Sequence, residues 1–167
     1  VTLGRGTVPS TVAVEPVSST ATSEPADDLR RFAVVAAHLE RAPIAVDARL
    51  GIGVCGPIRH AQAVARSLAV QLAWSLSPAE HWWASADDEA TWLGELPHQR
   101  RADLSKGALY EFGSRDDQGS SVVVAVARTP EYLPGTCRVV VDLRATGTQV
   151  VRHPDLQRRG AVTAEVV

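Results

Sequence analysis

The tract Gly53-Val54-Cys55-Gly56-Pro57-Ile58-Arg59-His60-Ala61 is where this sequence comes nearest to chemistry. A glycine turn between an apolar strand and a helix is a place where backbone amides can cradle phosphates. The working form is G-x-x-x-x-G-K-[ST], whose lysine reaches the β- and γ-phosphates and whose hydroxyl binds magnesium. Here no Gly-Lys-Ser/Thr follows, and Lys106, the one lysine of the chain, lies far downstream. Pro57 also removes one N–H from any cradle. A tract built this way is not expected to hydrolyse ATP. The glycines read as a tight strand-to-helix turn. A helix N-terminus still attracts anions, and Arg59 and His60 fall in its first turn. Gly53, Gly56, Arg59 and His60 are therefore the candidate phosphate-loop residues, for weak binding at most.

Other residues carry less. Val139-Val140-Val141-Asp142 has the form of an apolar strand whose terminal acid holds magnesium, but any buried strand ending in Asp gives it. Asp142 is expected to be a solvated strand end just before a hairpin turn. Asp87-Asp88-Glu89 reads as the acidic start of a short helix, where carboxylates are stabilised, rather than as a metal site. His38, His60, His81, His98 and His153 show no metal-ligand spacing. No G-x-S-x-G elbow exists, although a Ser-His-Asp arrangement assembled by the fold stays open. Cys55 near a helix start could have a lowered pKa, yet its neighbours Ile52 and Val54 favour a buried structural thiol. Trp74, Trp82, Trp83 and Trp92 read as core or interface rather than as a stacking platform, which needs a basic groove beside it. The sequence thus nominates no catalytic residue, no metal ligand and no cofactor.

The elements that must position these residues follow from periodicity. Residues 1–17 read as a strand or ribbon broken by Pro9, with Val8, Val12 and Val14 on its apolar side, and 18–25 as a Ser/Thr/Pro loop. Leu29, Phe32, Val35, Ala36 and Leu39 have helical spacing behind Asp27 and Asp28, which predicts a helix over 26–40 stopped by Pro43. Ile44, Val46 and Ala48 suggest a strand. Leu50 to Pro57 is a short apolar strand ending in glycine. Pro57 opens a long helix whose inner face is Ala61, Val64, Ala65, Leu68, Leu72 and Leu76, with Arg59, Gln62 and Arg66 off it. That is the first half of a βαβ unit.

Residues 81–85 are expected as a second strand parallel to the first, and 87–96 as a short helix. Residues 98–119 are polar, with room for one helix through Leu104, Ala108, Leu109 and Phe112. Strands are expected at 121–127 and 138–143. A further strand at 149–152 pairs back across Ala145-Thr146-Gly147, and 161–167 adds an edge strand. The expectation is one α/β domain over 26–167, its partly parallel sheet flanked by helices and closed by a C-terminal β-hairpin.

Composition agrees. The 167 residues are 45% hydrophobic and 22% charged, which is globular and the size of one domain. No apolar run reaches the roughly 18 residues of a membrane span. A net charge of -2 gives no electrostatic footprint for nucleic acid or an anionic membrane. Two cysteines, Cys55 and Cys137, are too few for a disulfide scaffold, though one bridge would suit an exported chain. The absence of methionine, even at position 1, suggests a piece of a longer chain or a processed one.

Residues 51–80 (GIGVCGPIRHAQAVARSLAVQLAWSLSPAE) resemble the strand, loop and first helix of ATPase-like modules in FtsK/SpoIIIE-type proteins. These include the EccC-like motor of type VII secretion in actinobacteria. Ser77-Pro78 fits the helix exit, Trp92-Leu93 with Leu96-Pro97-His98 resembles a Trp-rich tract of that family, and residues 121–141 resemble a strand, "LP…C" loop and strand. Residues 1–10 resemble the β-ribbon through which the chain enters such a module. Arg59-His60-Ala61 stands where active members carry lysine and hydroxyl, so the resemblance implies a degenerate P-loop-ATPase-like copy in which the four candidate residues are vestigial. It further implies a non-enzymatic, structural or regulatory role in protein transport and partners among the other domains or subunits of the motor. The chain would lie at the cytoplasmic face of the membrane through its parent protein, without contacting nucleic acid or entering the bilayer itself. The alternatives are a nucleotide-binding domain with an atypical phosphate loop, or an unrelated protein-interaction domain.

Overall fold

Three apolar strands form the centre of the molecule because each is apolar on both faces. In the computed structural model, which describes residues 1–10, 25–116, 121–144, 148–151 and 162–165, these are β3 (Ile52–Cys55), β7 (Ser121–Ala127) and β8 (Val139–Asp142). β3 lies between the other two and is parallel to both, with Ile52 level with Val124 and Val139. Continuous apolar runs are the signature of parallel strands covered on both sides. On one face Ile52, Val54, Val124, Val139 and Val141, all fully buried, meet the helix α2 (Ile58–Ser75) through Ala61, Ala65, Leu68 and Leu72. On the other, Leu104 and Leu133 from two loops pack over Val123, Ala125 and Cys137.

The sheet extends on both sides of this centre. Among the described residues it has ten strands, in the order β2-β1-β10-β9-β8-β3-β7-β6-β4-β5. The remaining strands are β1 (Thr2–Pro9), β2 (His38–Ala45), β4 (His81–Ser85), β5 (Gln99–Arg100), β6 (Tyr110–Ser114), β9 (Thr148–Val151) and β10 (Val162–Glu165). The chain is α/β with a mixed sheet, and β8 and β9 pair antiparallel as the C-terminal hairpin anticipated from sequence. The Ala145-Thr146-Gly147 turn, the Val12 and Val14 of the N-terminal ribbon and most of the 18–25 loop lie outside the described residues.

Several expectations need correction. The first helix, α1 (Pro25–Ala36), ends four residues before the anticipated 40, and His38–Ala45 is strand rather than helix. Pro43 stops nothing: it sits in β2 at the sheet's edge, where a missing N–H costs little. Ala48 belongs to a 3-10 turn, not to a strand. The β4 strand points the same way as β3, as expected, but β7 and β6 lie between them. Residues 87–96 form only a 3-10 turn at Thr91–Glu95. The helix allowed through Leu104 to Phe112 is absent, and β6 stands there instead, with Tyr110 and Phe112 buried on the α2 side. The last strand, β10, is not at the edge but between β1 and β9.

The antiparallel wing returns to α2. Gln71 holds the backbone of Thr2 by two hydrogen bonds, accepting from its N–H at 2.9 Å and donating to its C=O at 3.0 Å. Leu3 and Ile44 thereby join the core beneath the helix. Phe32, Val34 and Val35 of α1 and Leu39 of β2 are, by contrast, exposed. No helix is long and apolar enough to cross a membrane among the described residues.

Candidate functional site

The carboxyl ends of β3, β7 and β8 meet where the chain turns from β3 into α2, the position at which open α/β sheets bind ligands. Gly56 makes the turn. Its φ of +143° is a conformation that suits glycine, and an added Cβ would sit 2.9 Å from the Leu143 Cβ. Its N–H donates to the Ala127 carbonyl at 3.2 Å. Gly53, three residues back inside the strand, leaves space for Leu133, whose Cδ1 would lie 2.5 Å from a Cβ there. Both glycines are thus accounted for by backbone path and close packing.

Pro57 caps α2 without a side-chain bond, and its carbonyl accepts from Ala61 N–H at 3.0 Å. The first-turn amides of Ile58, Arg59 and His60 have no partner within the helix. The Arg59 and His60 side chains are exposed and have no hydrogen-bond or ion-pair partner among the described residues. A shallow cavity of about 400 Å³ opens beside this turn, lined by Gly56, Pro57, Ile58, Arg128, Leu143 and Arg144. The structure therefore brings Gly56 to the cavity, leaves Gly53 beneath Leu133, and keeps Arg59 and His60 in the adjoining first turn but off the cavity wall.

Asp142 is half-buried rather than solvated. It accepts from the Arg144 guanidinium, Nη2 to Oδ2 at 2.8 Å and Nε to Oδ1 and Oδ2 at 3.0 and 3.3 Å, and from the Arg144 N–H at 2.9 Å. That guanidinium holds the Asp142 carboxyl below the usual carboxylate range. Cys55, level with Asp142 across the β3–β8 pair, is fully buried. Burial, and then the charge of Asp142, push its thiol up to about 11, the opposite of an activated nucleophile. Cys137 is also buried and free, with burial pushing its thiol up to about 11. It precedes the start of β8 while Cys55 ends β3, so the two sulfurs lie at opposite ends of paired strands.

A second polar cluster lies at the same edge of the sheet. Arg66 reaches from α2 to Asp87, donating from Nε to Oδ2 at 2.8 Å and from Nη2 to Oδ1 at 3.1 Å, and to Glu89 at 2.7 Å. The Tyr110 hydroxyl donates to the same Asp87 carboxylate. Arg66 keeps Asp87 below its usual range, and burial together with Asp87 raises the Tyr110 hydroxyl. Asp87 is therefore not the start of a helix but the acceptor that ties α2 to β6 and the end of β4. No group of three potential metal ligands occurs among the described residues.

Sequence reasoning missed Arg128 and Arg144. The available signal was their place just after the carboxyl ends of β7 and β8. It missed the Arg66–Asp87–Tyr110 cluster because nothing in sequence joins three residues from three elements. No protein-family model, curated protein or solved structure matches this chain.

Proposed function

We propose that this chain is a non-catalytic, P-loop-ATPase-like module of a membrane-anchored FtsK/SpoIIIE-type motor, of the EccC-like kind that serves type VII protein secretion. One observation carries the reading. The β3–α2 turn has the placement of a phosphate loop, at the carboxyl edge of three parallel strands with an acid ending the neighbouring one. Yet the groups phosphate chemistry would use are spent elsewhere. The Gly56 amide bonds Ala127, Pro57 has none, and Asp142 is neutralised by Arg144. A site without lysine, hydroxyl or free carboxylate has nothing to stabilise charge on a transferring phosphoryl group. The module's work is then to pack against other domains or subunits of its parent motor, at the cytoplasmic face of the membrane, and to set their geometry. It takes no cofactor and touches neither nucleic acid nor the bilayer itself.

A second reading, an atypical nucleotide-binding domain, is favoured by one feature. Arg128 and Arg144 line the cavity beside the open first-turn amides. Calorimetric titration with Mg-ATP and with ADP, run beside a phosphate-release assay, separates the two. Silence in both supports the non-catalytic module. Micromolar affinity overturns it, and loss of that affinity in Arg128→Ala establishes the second reading.

A further inference from the structure

Trp74 is 91% exposed on the outer face of α2, although an indole is the most costly side chain to leave in water. It ends a stripe of Ala63, Ser67, Val70 and Trp74, spaced four, three and four residues apart, all exposed. Beside Ser67 lies a groove of about 210 Å³ between the helix and β1, with Val64, Leu3, Arg5 and Gln71 on its walls. The two Gln71–Thr2 hydrogen bonds fix the far wall in place. A large apolar knob and a hole of aromatic size therefore sit on one helix face, seven residues apart.

We propose that α2 is a self-pairing surface whose occupant is α2 of a second copy of this chain. In an antiparallel pair related by a two-fold axis near Val70 and Gln71, each Trp74 falls on the other copy's Ser67 and enters its groove. Val70 then faces its own counterpart, offset by about 1.5 Å along the axis, the rise of one residue. A two-fold contact demands this self-complementarity. Charge agrees with the orientation. The helix carries no acid, its N-terminal end presents exposed Arg59 and His60, and exposed Glu80 follows its C-terminal end. Antiparallel pairing brings Glu80 toward Arg59 and His60 and opposes the helix dipoles. Arg5 at the groove rim adds a cation beside the incoming indole. One helix face and one groove make a contact below the ~1,200 Å² of stable complexes, so the dimer forms at about 100 µM rather than at nanomolar concentration.

The test is sedimentation velocity from low micromolar to about 1 mM, joined to disulfide cross-linking. Val70→Cys is expected to cross-link on oxidation, whereas Ala63→Cys is not, because its two copies would lie roughly 22 Å apart along the axis. The native cysteines are buried and do not compete. Trp74→Ala, a surface change whose melt should match that of the unaltered chain, is expected to weaken dimerisation ~30-fold and to abolish the Val70→Cys cross-link. A chain that is monomeric at ~1 mM overturns the proposal and assigns Trp74 to a different partner. Equal cross-linking at positions 63 and 70, or a dimer indifferent to Trp74→Ala, overturns it as well.

Discussion

The two helices of this chain share a sequence signature and have opposite fates. Phe32 and Val35 of α1 repeat at helical spacing as Leu68 and Leu72 of α2 do, yet the first pair is exposed and the second buried. What differs is the surface opposite. The α2 helix lies on three parallel strands whose Ile52, Val54, Val124 and Val141 offer a flat apolar floor. The α1 helix sits beside β2, an edge strand of the sheet, and touches it only lightly. Periodicity establishes that a helix has an apolar face, while burial depends on what the topology sets against it.

The contrast can be broken most strongly at Leu68. Leu68→Ala should lower stability by about 2–5 kcal/mol in urea denaturation, through lost burial and the cavity left behind. The Arg66–Asp87–Tyr110 cluster comes next. Asp87, only 4% exposed, anchors an Arg66 that is 31% exposed, so Asp87→Asn should cost about 2 kcal/mol rather than the larger loss of a fully buried pair. Because its folded pKa is lowered, the stabilisation is complete above the ordinary carboxylate value near ~4 and is lost as pH falls through the folded value. Acid titration of stability should therefore be shallower below pH ~4 in Asp87→Asn than in the unaltered chain. Equal slopes would remove Asp87 from the account.

Smaller effects sharpen the same comparison. Gly56→Ala should cost about 1–3 kcal/mol, since alanine must adopt a φ of +143° and press on Leu143. Phe32→Ala should change stability by less than ~0.5 kcal/mol, as for an ordinary surface position. A loss comparable to that of Leu68→Ala would mean that α1 is buried in solution.

The parallel centre was legible because its signals are local. SVVVAVA is an unbroken apolar run bounded by polar residues, and Pro57 followed by a 3.6-residue repeat marks α2. The β6 strand was not, because Glu111 breaks its apolar run. In the fold that carboxylate is buried and accepts from the Ser105 N–H and hydroxyl at 2.7 and 2.9 Å and from Ser121. Pro43 misled for a related reason, since a proline that would end a helix is tolerated at a sheet edge. At the candidate site the lack of a Gly-Lys-Ser/Thr run was evident from residue types alone. The Ala127 carbonyl that takes up the Gly56 amide required the register of β3 with β7, whereas Arg144 stands only two residues beyond the Asp142 it neutralises.

The central claim, that the β3–α2 turn is committed to packing, rests most directly on the Gly56 amide. Hydrogen exchange resolved at that residue, with and without millimolar Mg-ATP, tests it. The bond to Ala127 predicts a slow amide whose rate nucleotide leaves unchanged. A Gly56 amide that exchanges freely alone and becomes protected only when Mg-ATP is added would contradict the account.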